Sequence, residues 1–229
     1  RRLTTTTIRI GIAMNREELR RDIPVRYSFV RHLGMVQVLA GVVLAAGALL
    51  VREPTRAELL IPPAGFLFAN LFEFLIHRYG MHRRIRGLFV FYRRHTLQHH
   101  VFFHEDTMSV DGLRDMKYVL FPAWAFVAFV AMVAPTYAAV YVLVSPSACG
   151  LFILTTVGYY LLYEWLHMLY HLGERNPLRR LGPFRRIAEH HRVHHDPALM
   201  TRHNFNITFP IFDTLFGTTH RKGFAKEES

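Results

Sequence analysis

Cysteine is nearly absent from this chain of 229 residues. Cys149 stands alone in an apolar run, so no disulfide can close within the chain, and a small buried hydrophobe is its expected role. Lysine is almost as scarce, since only 3 of the 28 basic residues are lysine and the rest are arginine. That bias suggests a GC-rich genome and hence a bacterium. Acids number 17, leaving a formal charge of +11. Charged residues make up only 20% of the chain against 51% hydrophobic, which leans away from ordinary soluble domains and toward a membrane protein. No cleavable signal peptide is apparent, because the first apolar run follows some thirty polar and basic residues. Insertion is therefore expected to use an internal helix, and Met14 is a candidate start.

Long stretches lack charge altogether. Leu33 to Val51 is 19 residues without one, about the length that crosses a bilayer. A second apolar stretch runs from Leu59 to Ile76, interrupted by Pro62-Pro63 and, near its end, by Glu73. Between Lys117 and Glu164 lie 46 uncharged residues, enough for two spans of about 20 joined by a tight turn, with Pro135 and Pro146 marking the turn or a kink. The expected fold is all-α, an integral membrane protein with about four transmembrane helices and a histidine-rich cap. Of the 28 basic residues, 26 fall in 1–31, 78–117 and 172–229, which four spans bring to one side. The positive-inside rule makes that side cytoplasmic, with both termini inside, here of a bacterial inner membrane. A nucleic-acid binder would carry such charge as a stripe on a soluble fold; here it flanks spans, so no nucleic-acid partner is expected.

Residues 1–31 are expected to form an N-terminal cytosolic segment, disordered over 1–13. From Asn15 to Arg31 a surface helix is expected, begun by the capping pattern Asn15-x-x-Glu18, its charges facing anionic lipid. Residues 32–229 form the membrane domain.

Against these absences stands one excess, histidine, with ten of 15 in four clusters. They are His77 and His82; His95, His99 and His100; His167 and His171; His191, His194 and His195. Imidazole is the commonest side-chain metal ligand. Helical residues four apart share a face, which joins His167 to His171 and His191 to His195. Adjacent histidines diverge by about 100°, so each doublet suits one ligand for each of two metals. His77 and His82, five apart, are likewise splayed and suit different ions. Nitrogen donors suit Zn, Cu, Fe and Ni alike, but ten histidines exceed one structural zinc. Glu73 and Glu164 precede His77 and His167 by four and three residues and are candidates to orient those rings, or to pair with Arg78 or another interfacial arginine. Single histidines are ordinarily core or surface groups, and His32, His190, His203 and His220 are read that way.

The stretches Glu73-Phe-Leu-Ile-His77-Arg-Tyr-Gly-Met-His82, Tyr163-Glu-Trp-Leu-His167-Met-Leu-Tyr-His171, His191-Arg-Val-His194-His195 and Asp213-Thr-Leu-Phe-Gly-Thr218 resemble the fatty acid hydroxylase/sterol desaturase superfamily. The resemblance covers roughly residues 60–220. It implies a fatty acid hydroxylase-like membrane domain under a cytosolic cap, two Fe ions held by the ten clustered histidines, and O2 as co-substrate. It also implies a membrane-dissolved lipid substrate. Zinc is a possible occupant of purified protein. Two departures stand out: the second cluster has three residues before its doublet where many relatives have two, which leaves His104 as an alternative to His95, and Asn206 occupies a position often held by Gly, at a turn where Asn tolerates left-handed backbone.

The implied reaction is oxygen-dependent hydroxylation of a fatty acyl or related chain, with a sterol or carotenoid oxidase or desaturase as the alternative. Phe72, Phe152, Tyr159 and Tyr160 are candidates to line a lipid slot. With no haem or flavin motif visible, electrons are expected from an external donor, a small redox protein and its reductase, for which the basic loops suit an acidic partner. A membrane metal transporter or metal-binding scaffold is the competing class; a transporter would hold its ligands near mid-membrane, whereas these lie at span ends.

Overall fold

The computed structural model describes residues 15–173 and 176–220. The expected disorder over 1–13 lies outside these. Among the described residues there is no strand, and four helices are long and apolar enough to cross a membrane. After the short α1 (Arg16–Arg21) come α2 (Phe29–Leu50) and α3 (Ile61–Leu75), then two short cap helices, α4 (Phe89–Arg94) and α5 (His100–Phe102). The hairpin of α6 (Ala123–Leu143) and α7 (Pro146–His171) follows, and α8 (Gly182–His194) and α9 (Ile211–Leu215) complete the cap.

The boundaries follow from local chemistry. Ser28 and Ser145 cap α2 and α7 by accepting from the backbone N–H of Arg31 and Ala148, filling donors that a helix start leaves open. Pro146 occupies the first turn of α7, where its missing N–H is harmless, so the hairpin turns there, while Pro135 lies inside α6. Of the four spans α7 is the most enclosed, with 56% of its apolar window buried against 17–28% for the others. Phe126, Phe129, Val133, Phe152, Ile153 and Val157 form the core between the spans. Where α2 crosses α7, a Cβ on Gly150 would overlap the Gly47 carbonyl, so this approach needs glycine.

The capping box at Asn15 and Glu18 is present. The charges of α1 are spent differently from the lipid-facing role its sequence suggests. Arg20 bridges Asp115 at 2.9 Å and also pairs with Asp111, and Arg16 donates to the carbonyls of Thr107 (2.9 Å) and Ser109 (2.7 Å). Leu19 and Ile23 pack into a cluster with Phe102, Phe103 and Met116. Apolar burial thus turns this helix toward the protein, tying 15–28 to the cap.

Candidate metal centre

Two stretches of the chain abandon the α-helical repeat at the histidines. Ile76–Met81 extends α3 as a π-helix, and His95–His99 forms a second π-helix between α4 and α5. A π-turn closes hydrogen bonds from i to i+5, so it aligns residues five apart rather than four. It therefore brings His77 beside His82 and His95 beside His100, and His194 completes a group of five whose ligand nitrogens all lie within 4.8 Å of one another. The ordinary helices α7 and α8 align residues four apart. They bring His167 beside His171 and His191 beside His195, and His99 completes a second group with the same 4.8 Å limit.

The doublets do divide as their angular separation implies: His99 and His100 enter different groups, as do His194 and His195. His77 and His82 do not divide. The π-turn removes the α-helical splay, and both serve the first group. His95 is buried within that group, whereas His104 is exposed. All ten clustered histidines are buried.

Six of the ten rings are aimed by what their outer nitrogen touches, while Nδ1 of His100 and of His191 is buried without a partner. Nδ1 donates to a backbone carbonyl in His77 (Phe205), His99 (Tyr118, 2.8 Å), His171 (Met108, 2.7 Å), His194 (His203, 2.9 Å) and His195 (Phe103, 2.7 Å). His82 Nδ1 meets Thr96 Oγ1 at 3.3 Å, a hydroxyl that itself donates to the Met81 carbonyl. A carbonyl accepts only, so the ring proton is on Nδ1 and Nε2 turns a bare lone pair inward. In each group two such lone pairs face each other: His82 and His194 at 3.0 Å, and His99 and His195 at 3.2 Å. Protonating one ring would relieve this. Burial first, and neighbouring imidazoles second, push His82, His95, His99, His100, His191, His194 and His195 well below the usual imidazole range. Convergent neutral nitrogens without a proton to share fit a cation in each group.

The carboxylates act at one remove. Glu73 touches neither His77 nor Arg78. It accepts from the Ile207 N–H (2.6 Å), the Thr208 N–H (3.2 Å), Thr208 Oγ1 (2.6 Å) and Tyr159, holding the 205–208 segment whose Phe205 carbonyl receives His77. Arg78 instead stacks on the rings of Phe74 and Phe205. Glu164 accepts from Tyr160 at 3.4 Å rather than from His167. The other end of that segment is tied by Asp213, which accepts from the N–H groups of Phe205 (2.9 Å) and Asn206 (2.7 Å), from Thr218 Oγ1 (2.6 Å) and from His190 (3.1 Å). Burial opposes the charge of Asp213, but these four donors outweigh it and hold the carboxyl below its ordinary value. The left-handed residue here is Asn204, at φ 60°, and not Asn206. Asn204 spends its side chain on the His190 and His220 carbonyls, while Asn206 donates to the Asn70 carbonyl at 2.8 Å. Gly217, at φ 67°, makes the following turn. His32 and His203 are likewise hydrogen-bonded to carbonyls outside the two groups.

An apolar slot between α3, α6 and α7 leads to His77. It is lined by Phe72, Phe129, Tyr159, Tyr160 and Tyr163 and holds about 600 Å³, its open mouth included. Phe152 takes no part; its ring packs on Phe68 at 5.2 Å. The Tyr163 hydroxyl is buried there without a partner. Tyr163 stands four residues before His167 in the quoted motif, but nothing in the spacing marks it as a slot residue, and Thr208 falls in no histidine pattern.

Comparison with known proteins bears on this arrangement. A family model described as fatty acid hydroxylase matches residues 63–218, which contain all ten histidines. The fold is similar to a solved structure of full-length Scs7p in which only the hydroxylase domain is visible, with a TM-score of 0.62 and 16% identity over 92% of this chain and 81% of that one. No curated protein matches by sequence.

Proposed function

The chain belongs to the fatty acid hydroxylase family, and from that premise we propose that it is an oxygen-dependent hydroxylase of lipid C–H bonds whose ten clustered histidines hold two iron ions. The observation that carries this reading is the pair of five-histidine groups with His77 shared between one group and the apolar slot. Family membership already makes it an oxidoreductase acting on lipid. The all-imidazole donor set adds no negative charge to the cations it would hold, unlike the Glu-rich sites of soluble di-iron bundles.

The two irons, when bound, would supply activation of dioxygen and removal of hydrogen from an unactivated C–H bond. The chain itself does the rest. The carbonyls of Tyr118, Phe103, Met108, His203 and Phe205 fix ring orientation. Glu73 and Asp213 hold the segment that carries two of those carbonyls. Phe72, Phe129 and Tyr160 exclude water and hold a methylene chain against His77. The unpaired Tyr163 hydroxyl is a donor for a polar group of the substrate, since a buried hydroxyl left unpaired is unfavourable by about 1–3 kcal/mol.

Electrons come, on this reading, from a small redox protein and its reductase. The cap faces the cytoplasm of a bacterial inner membrane with both termini inside, which the arginine distribution supports. A sterol or carotenoid substrate is the alternative within the class. A metal transporter is disfavoured because the groups lie at span ends and in the cap, not at mid-membrane. Lipid extracts of cells with and without the gene, compared by mass spectrometry, test the proposal. A species gaining one oxygen supports it, loss of two hydrogens points to desaturation, and identical extracts from cells that make the protein contradict it.

A further inference from the structure

The start of α2, the end of α4 and the start of α6 enclose a second cavity, separated from the slot by such contacts as the Phe91 ring against Trp124. It holds about 1,260 Å³, open side included, and is lined among others by Arg31, Arg93, Arg94, Lys117, Met35 and Trp124. Four cations thus surround one concavity. None makes a close ion pair with a described carboxylate; Glu164 acts on Arg94 and Asp22 on Lys117 from farther off, which leaves four cations against two acids. Arg94 is half-buried and donates to Gln98 Oε1 (3.1 Å) and the Leu120 carbonyl (3.2 Å). Arg31 donates to the Arg26 carbonyl (2.8 Å) and Lys117 to the Asp22 carbonyl (3.4 Å), while Arg93 is exposed. Arg94 and Lys117 also lie over the same ring, that of Tyr118, at 5.6 and 4.9 Å. Every acceptor in these bonds is neutral. Like charges held this close repel unless an anion joins them, and burial of Arg94 sharpens that demand.

The rest of the lining says which anion. Met35, Trp124, Val90, Pro122 and Ala123 make the floor apolar. Met35 and Trp124 are 50% and 41% exposed, and Val38 and Val127, one turn farther along α2 and α6, are 68% and 54% exposed. An apolar track therefore leaves the cationic cavity along the outer faces of two spans, with a tryptophan where interfacial tryptophan is favoured. We propose that this cavity is a binding site for an anionic phospholipid, the phosphate among Arg31, Arg93, Arg94 and Lys117 and one acyl chain along Met35, Val38, Trp124 and Val127. An acidic protein partner would be met better by a flat or convex charged face than by a concave, largely apolar one. The site has a route of influence, because Arg94 also lines the small cleft that contains His95, His99 and His167, so an anion here alters the field at the histidine groups.

The proposal needs the membrane fold but not the hydroxylase reading. The full chain is reconstituted in nanodiscs of equimolar phosphatidylglycerol and phosphatidylcholine, released into detergent, and its retained lipid counted by native mass spectrometry. Phosphatidylglycerol is expected to exceed phosphatidylcholine about tenfold or more, three or four cations being engaged. The excess should vanish in Arg31→Gln/Arg93→Gln/Lys117→Gln, persist in Arg31→Lys/Arg93→Lys, and survive added inorganic phosphate. Equal retention of the two lipids by the native chain overturns the site and needs no variant. So does displacement by inorganic phosphate, which marks a free-anion site, or an unchanged lipid excess in the triple Gln variant accompanied by weaker binding of an acidic redox protein, which marks a protein surface.

Discussion

His99 and His195 face each other through bare nitrogens. Their Nε2 atoms are 3.2 Å apart, while each Nδ1 donates to a carbonyl, of Tyr118 and Phe103 respectively. Neither inner nitrogen has a hydrogen to offer, and burial keeps both rings neutral, so the pair is satisfied only by a cation between them. His82 and His194 repeat the arrangement in the other group at 3.0 Å.

From that opposition follows the effect of removing one ring. His99→Ala and His82→Ala should each abolish product while the protein still inserts, and each should lower metal content most in its own group. Metal analysis and lipid product assayed on the same preparations check this. Full activity in either variant would contradict it.

Glu73 tests the support beneath His77. All of its hydrogen bonds are accepted ones, so Glu73→Gln removes the charge and turns an amide NH2 toward the Tyr159 and Thr208 hydroxyls, which must then reverse from donor to acceptor. Second-layer changes of this kind typically lower metal affinity or activity 10–100-fold, and a loss of that size is expected in both, with the helical content unchanged by circular dichroism.

Asp213 makes the parallel test by pH. Its folded carboxyl lies below the ordinary value, so its stabilising contribution is present above the unfolded pKa of about 4 and is lost as pH falls through the lower folded one. Asp213→Asn should destabilise the protein by about 3 kcal/mol at neutral pH, and the difference from the native chain should shrink below about pH 4. Unfolding in detergent across that range reads both.

The slot is tested by filling it. Ala69 lines it beside Phe72 and is 4% exposed, so Ala69→Phe should cut product from long acyl chains at least tenfold while metal content stays at the native level. In the span packing, Gly150→Val should reduce the yield of monodisperse protein sharply, because its Cβ meets the Gly47 carbonyl, whereas Gly158→Val has open space and should be tolerated.

What sequence made legible, and what it hid, divides along the range of the interaction. Runs without charge marked four spans, and the i,i+4 spacing in α7 and α8 joined His167 to His171 and His191 to His195, because apolar runs and helical periodicity are local properties. An α-helical repeat splays His77 and His82 toward different ions, and nothing in the residues of Ile76–Met81 announces the π-turn that joins them. Glu73 was near His77 in sequence, yet its partners lie more than 80 residues away at Tyr159 and Ile207. Resemblance points to Asn206 for the left-handed turn, but hydrogen bonds to the His190 and His220 carbonyls select Asn204.

The most direct test of the central claim is the metal content of the purified full chain after iron-replete expression, counted against protein by elemental analysis. Two histidine groups holding iron give close to two irons per chain. One zinc per chain and no iron would contradict the account.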